Sequence, residues 1–219
     1  MKTNTLIIGA LVLSLSFSSC QNNASKTEAD HSSMDSSDMD MGSMSMGTGM
    51  KSGMDKMMTD MHQMEMTGNV DNDFAMMMKS HHQAAVDMAQ AELESGKDED
   101  LKKMAQNIIS AQKTEIDELQ SFLENHKNPE KYYDPAMKEK GFSKVMDQNM
   151  TMMMDMPKMD ESSSTDKHFV QMMIPHHQGA IMMAEGLIQF GKDPALIALA
   201  KKIITDQKME IELLKKWTE

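Results

Sequence analysis

The chain has 219 residues, 34 acidic and 22 basic, for a formal net charge of −12, and 31 of its residues are methionine. Every basic residue is lysine, so the bidentate arginine fork is missing and the overall field repels nucleic acid, which excludes a phosphate or nucleic-acid clamp. One cysteine, Cys20, excludes an internal disulfide and a cysteine zinc cluster.

The first segment, residues 1–19, has a basic start, an apolar run from Leu6 to Phe17 and then the small residues Ser18 and Ser19. That run is too short to span a bilayer and has the layout of a secretory signal. With Cys20 directly after it, the segment resembles the bacterial lipoprotein signal. The expected product is a periplasmic or surface lipoprotein, tethered to the membrane of the cell envelope through acyl chains at Cys20.

Residues 20–70 lack a sustained hydrophobic period and are rich in Ser, Asp, Gly and Met. They read as a flexible, disordered Met-rich arm, too poor in branched and aromatic side chains to offset the entropy of ordering. Twelve methionines fall between Met34 and Met66, joined by His31 and His62.

From residue 71 the pattern is helical, and it repeats with a shift of 95 residues. Phe74 matches Phe169, His81-His82-Gln83 matches His176-His177-Gln178, and Gly96-Lys97-Asp98 matches Gly191-Lys192-Asp193. Over residues 73–119 there are 21 identities in 47 positions, which is an internal duplication rather than shared bias. Each copy reads as a helical hairpin, the first with helices over about 71–95 and 98–125 and a Gly between them. Asp98 and Asp193 are placed to cap the second helices, and Pro194 to open one. Two such hairpins, in repeats 71–126 and 165–219, predict an all-α, antiparallel four-helix bundle over 71–219. The connector, 127–164, holds eight methionines between Met137 and Met159.

On a helical wheel, Gln112 and Glu115 fall on the apolar face with Leu101, Ile108 and Leu119, and Gln207 and Glu210 repeat this. His81 and His176 sit mid-face on the first helices, with His82 and His177 at the edge. Unpaired buried polar groups are costly, so these must bond one another or bind a metal. A hydrogen-bonded network of His81 with Glu115 and His176 with Glu210 is one outcome; a metal centre is the other. Met77, Met78, Met172 and Met173 each lie one helical turn before one of the four histidines, so thioether and imidazole share a surface. Core packing competes with ligation at those four.

Twenty methionines lie in the arm and connector, where no core is expected. In the arm the candidate donors are His31, His62, Met39, Met41, Met44, Met46, Met50, Met54, Met57, Met58, Met61, Met64 and Met66. In the connector they are Met150, Met152, Met153, Met154, Met156 and Met159. Neutral thioethers suit Cu(I) and Ag(I), and imidazole extends the range to Cu(II). A biased spacer and a sink for oxidants are the competing readings.

The string Phe169 to Ile181, with Met172-Met173-Ile174-Pro175-His176-His177-Gln178-Gly179, resembles the signature of the bacterial domain-of-unknown-function family 305. Residues Phe74 to Met88 look like its degenerate partner. The resemblance covers residues 70–219. It implies a ferritin-like bundle and, since some members are extracytoplasmic copper-binding proteins, metal binding at His81, His82, His176, His177 and nearby methionines. The Glu-x-x-His pairs of di-iron bundles are absent, which disfavours an oxygen-activating centre. The sequence therefore predicts copper binding and sequestration, with a redox-active metal enzyme such as a cuprous oxidase, or a structural lipoprotein, as alternatives. It names no copper-efflux or copper-delivery partner.

Overall fold

A computed structural model describes residues 48–155, 160 and 162–218. Residues 1–19 and Cys20, on which the expected lipoprotein signal falls, and His31, Met39, Met41, Met44, Met46, Met156 and Met159, lie outside these residues. The described residues form six α-helices and no strand. They are α1 (Thr48–Gln63), α2 (Val70–Ser95), α3 (Glu99–Asn125), α4 (Gly141–Met154), α5 (Thr165–Phe190) and α6 (Pro194–Leu214). A short 3-10 turn, Lys215–Trp217, follows. None of these helices is long and apolar enough to cross a membrane.

Local chemistry sets the helix ends. The Asp98 carboxylate accepts from the backbone N–H groups of Asp100 and Leu101, and Asp193 does the same for Ala195 and Leu196. Each cap satisfies donors that a helix start leaves open. Gly96 and Gly191 close α2 and α5 in extended rather than left-handed backbone. Glycine is needed there for close approach: the Glu92 carboxylate and the Leu187 side chain occupy the space that a Cβ would take. The left-handed glycines are instead Gly68 and Gly141, at the starts of α2 and α4.

The two hairpins, α2–α3 and α5–α6, pack with α2 against α5. Their shared ends are tied by a reciprocal exchange between the repeats. Asp71 at the start of α2 accepts from the backbone N–H of Lys192 and Asp193, at 2.9 and 3.0 Å. Its equivalent Asp166 accepts from Lys97 and Asp98, both at 2.8 Å. The start of each first helix therefore meets the end of the other, making α2 and α5 antiparallel. Phe74, Met78, Met88, Phe169, Met173 and Met183 fill the core between them.

The Met-rich segments depart from expectation. From residue 48 the arm is helix, and α1 packs along α2; α4 from the connector packs along α5. Met50, Met54, Met57 and Met61 are buried on α1, and Phe142, Met146, Asn149 and Met153 on α4. Both sets follow the same 4-3-4 spacing, one face of a helix. The expectation that these methionines have no core to fill is corrected for Met50, Met54, Met57, Met61 and Met153. Met58, Met64, Met66, Met150 and Met152 are half-buried against the same core, whereas Met154 and His62 are exposed. Small residues allow the approach: Gly53 abuts Ala84, and in the second repeat Asn149 abuts Gly179.

Asp73, fully buried at the first turn of α2, fixes the chain between α1 and α2 and the start of the connector together. Its carboxylate accepts from the Thr67 N–H and hydroxyl, both at 2.7 Å, the Gly68 N–H at 3.1 Å and the Tyr133 hydroxyl at 2.5 Å. Removing it strands several donors, so Asp73→Ala is expected to cost about 3 kcal/mol. Urea unfolding checks this; a loss below about 0.5 kcal/mol, the scale of a plain surface change, would refute the clamp.

Candidate metal centre

The middle of the bundle brings four histidines together. His81 on α2 and His176 on α5 face each other with ring centroids 3.7 Å apart and planes tilted by 36°. Both are fully buried, and none of their four ring nitrogens has a hydrogen-bond partner. Burial, and then the charge that neighbouring histidines would carry, hold both well below the ordinary histidine value, so both are neutral at pH 7. A neutral imidazole without a partner is a ligand waiting for an acceptor of its lone pair.

His82 and His177, one residue on, turn outward to the flanking helices. His82 Nε2 lies 2.8 Å from the Glu115 carboxylate, which leaves Nδ1 unpartnered. His177 Nε2 lies 2.8 Å from Glu210 but out of line for a hydrogen bond. Of the two competing outcomes, the carboxylates thus take the edge histidines, not His81 and His176. A histidine at the edge of the α2 face reaches the adjacent helix, whereas one at its centre reaches only the opposite repeat.

The repeats are not electrically equal. Lys202 of α6 donates to Glu115 at 2.8 Å and to Asp206 at 2.9 Å. Burial alone would raise the Glu115 carboxyl, but His82 and Lys202 outweigh it and hold it below its ordinary value. Asn107 stands in the first repeat where Lys202 stands in the second. Gln112 and Gln207 are buried beside these carboxylates in sequence, and both Gln112 side-chain atoms and Gln207 Oε1 lack a partner.

A thioether completes the surroundings on one side. Around the position that a Cβ on Gly179 would occupy, the Met153 methyl lies at 3.0 Å, His81 Nε2 at 3.2 Å and Asn149 Nδ2 at 3.2 Å. Asn149 is held there by donating to the Gly179 carbonyl at 2.8 Å. Met77, Met78, Met172 and Met173 are all buried. Among the described residues no three His, Cys, Asp or Glu side chains converge as a metal-holding group. The arrangement offers paired imidazoles with nearby thioethers, a donor set suited to a soft monovalent ion rather than to a three-ligand zinc or a carboxylate-bridged iron centre. Sequence reasoning missed Asn149 and the role of Gly179: it allowed a short helix in the connector, within the limits set by Pro129, Pro135 and Pro157, but named only methionines there as donors.

Residues 71–218 match the family described as Domain of unknown function (DUF305). Among solved structures, CopM in its Cu(I)-bound form is 33% identical, over 67% of this chain and 94% of CopM, with a TM-score of 0.50. CopM in an Ag-bound form is also 33% identical, over 67% and 93% of the two chains, with a TM-score of 0.51. A DUF305 protein from Streptomyces coelicolor is 25% identical, over 68% and 91%, with a TM-score of 0.53. No curated protein matches the chain.

Proposed function

We propose that this chain, which belongs to the DUF305 family, binds and buffers monovalent copper in the cell envelope, with His81 and His176 as its central donors. The observation that carries this reading is the set of four unpartnered ring nitrogens in the bundle core. Leaving polar atoms buried and unpaired costs stability, so a ligand that engages them offsets a standing penalty. Cu(I) accepts few, neutral donors, and imidazole and thioether are both neutral at these positions. Ag(I) has the same preferences.

Glu115 and Glu210 act behind the site. A carboxylate that accepts one ring N–H fixes the tautomer and leaves the other nitrogen free as a donor, as Glu115 would for His82 Nδ1. The solved CopM forms with Cu(I), Cu(II) and Ag support copper as the cargo and silver as its surrogate. A holding role needs no bond-making step, and two fully buried imidazoles suit retention better than turnover. The signal-like residues 1–19 and the lipobox-like position of Cys20 support tethering at the envelope, where thioethers keep their donor character and thiols do not. Methionines of the arm and of the connector would raise the local supply of the ion.

Competition with a Cu(I) chelator tests this on the full chain. Wild type should hold at least one ion that His81→Leu/His176→Leu does not. Equal copper retention by both proteins would sink the assignment.

A further inference from the structure

Five methionines from four separate stretches of chain line one open cavity of about 140 Å3 between α1, α2 and α4. They are Met61 of α1, Met66 of the following segment, Met77 of α2, and Met146 and Met150 of α4. Methionine that serves only as core filler closes space; here the side chains border space that stays open. Met66 and Met150 are half-exposed, so the cavity communicates with solvent.

The polar groups at its rim each have a partner within the protein. Asp147 pairs with Lys138 at 2.8 Å. The Ser143 hydroxyl donates to the Asp134 carbonyl at 2.9 Å, and the Tyr133 hydroxyl to Asp73. Methionine is the most frequent residue in the lining. The one carboxylate at the rim, Asp147, is already paired with a lysine, which disfavours a hard cation there. A soft monovalent ion finds several neutral thioethers.

Two of its methionines lead toward the histidine pair along their helices. Met77 stands one helical turn before His81, and Met150 stands one turn before Met153, whose methyl shares the space beside Gly179 with His81 Nε2. We infer that this methionine cavity is a second, separate site for Cu(I) or Ag(I), and that it is the intake from which the ion passes by way of Met153 to His81 and His176. The binding half stands on the cavity's own donors; the transfer half rests on the copper reading of the histidine pair.

The test uses the full chain with methyl-13C methionine and Ag(I), which is diamagnetic and does not change oxidation state. Three proteins are compared: wild type, Met66→Leu/Met77→Leu/Met150→Leu, and His81→Leu/His176→Leu. Leucine keeps the apolar packing and removes the sulfur. In wild type the Met61, Met66, Met77, Met146 and Met150 methyl resonances should move together as silver is added. They should still move in the histidine variant. In the leucine triple variant, Met61 and Met146 should stay in place, one silver ion fewer should be bound at saturation, and the histidine pair should fill more slowly. Still methyl resonances in wild type, or unchanged silver content in the triple variant, overturn the site. Unchanged filling of the histidine pair in the triple variant overturns the intake role. A histidine variant that binds as much silver as wild type defeats the histidine-pair reading but leaves the cavity standing.

Discussion

Replacing both His81 and His176 by leucine is expected to make the metal-free protein more stable and the silver-loaded comparison less so. The two rings bury four ring nitrogens with no partner. Removing those atoms relieves a desolvation penalty and retains apolar volume, for a gain of about 2 kcal/mol in total. In a chain of this size that corresponds to a rise in Tm of about 4–8 °C. Wild type, by contrast, should gain about 3 kcal/mol from Ag(I) at a hundredfold excess over its Kd, and the double variant should lose the core's share of that gain. The two melting curves therefore cross on adding silver. Differential scanning calorimetry with and without Ag(I) decides the matter. If the variant is less stable than wild type without metal, the histidines serve as packing or as a hydrogen-bonded network, and the metal reading of the pair fails.

Much of this centre was legible in the sequence because the duplication gave each feature twice. The His-His-Gln and Gln-x-x-Glu patterns recur at a shift of 95 residues, and wheel placement puts His81 and His176 inward from both repeats. The partner choice was not legible. Whether Glu115 meets His81 or His82 depends on rotation of α2 against α3, which composition and period do not fix to within one residue. The helix α1, and the packing of the connector's short helix α4 onto the core, were hidden for a different reason. Their apolar residues are almost all methionine among Ser, Asp, Gly and Lys, and that bias reads as a spacer. Yet Met has good helix propensity, and Met50, Met54, Met57 and Met61 carry the period of a buried face. Phe142, Met146, Asn149 and Met153 repeat that period. The signal was in the spacing, and the composition masked it. The consequence is functional: four of the five sulfurs lining the intake cavity lie in the arm or the connector, where the sequence predicted no packed core.

Glu92→Leu should stabilise the protein in a way that grows with pH. The second repeat supplies the rationale, because Leu187 occupies the equivalent position under Gly191 as Glu92 does under Gly96. Glu92 is fully buried and faces Asp166. Burial first, and then the Asp166 charge, push its carboxyl up from 4.5 to about 8. Burial works against Asp166 too, but the N–H groups of Asp98 and Lys97 outweigh it and keep that carboxyl below its ordinary value, so the proton resides on Glu92. The sign follows from linkage. Below about pH 4.5 Glu92 is protonated in both folded and unfolded chains and has no differential effect. Between pH 4.5 and about 8 the unfolded chain releases the proton and the folded chain keeps it, so stability declines as pH rises. Above that range the deficit is constant, on the order of a few kcal/mol. Leucine has no proton to release, so its advantage over wild type should be small at pH 4 and reach several degrees in Tm at pH 8.5. Glu92→Gln should flatten the pH profile in the same way, because its amide has no proton to release in this range. Thermal melts of the three proteins at pH 4, 6 and 8.5 provide the check. A constant difference across that range would mean that Glu92 is ionised in the fold, and the acid pair at the end of α2 would then be a charged one.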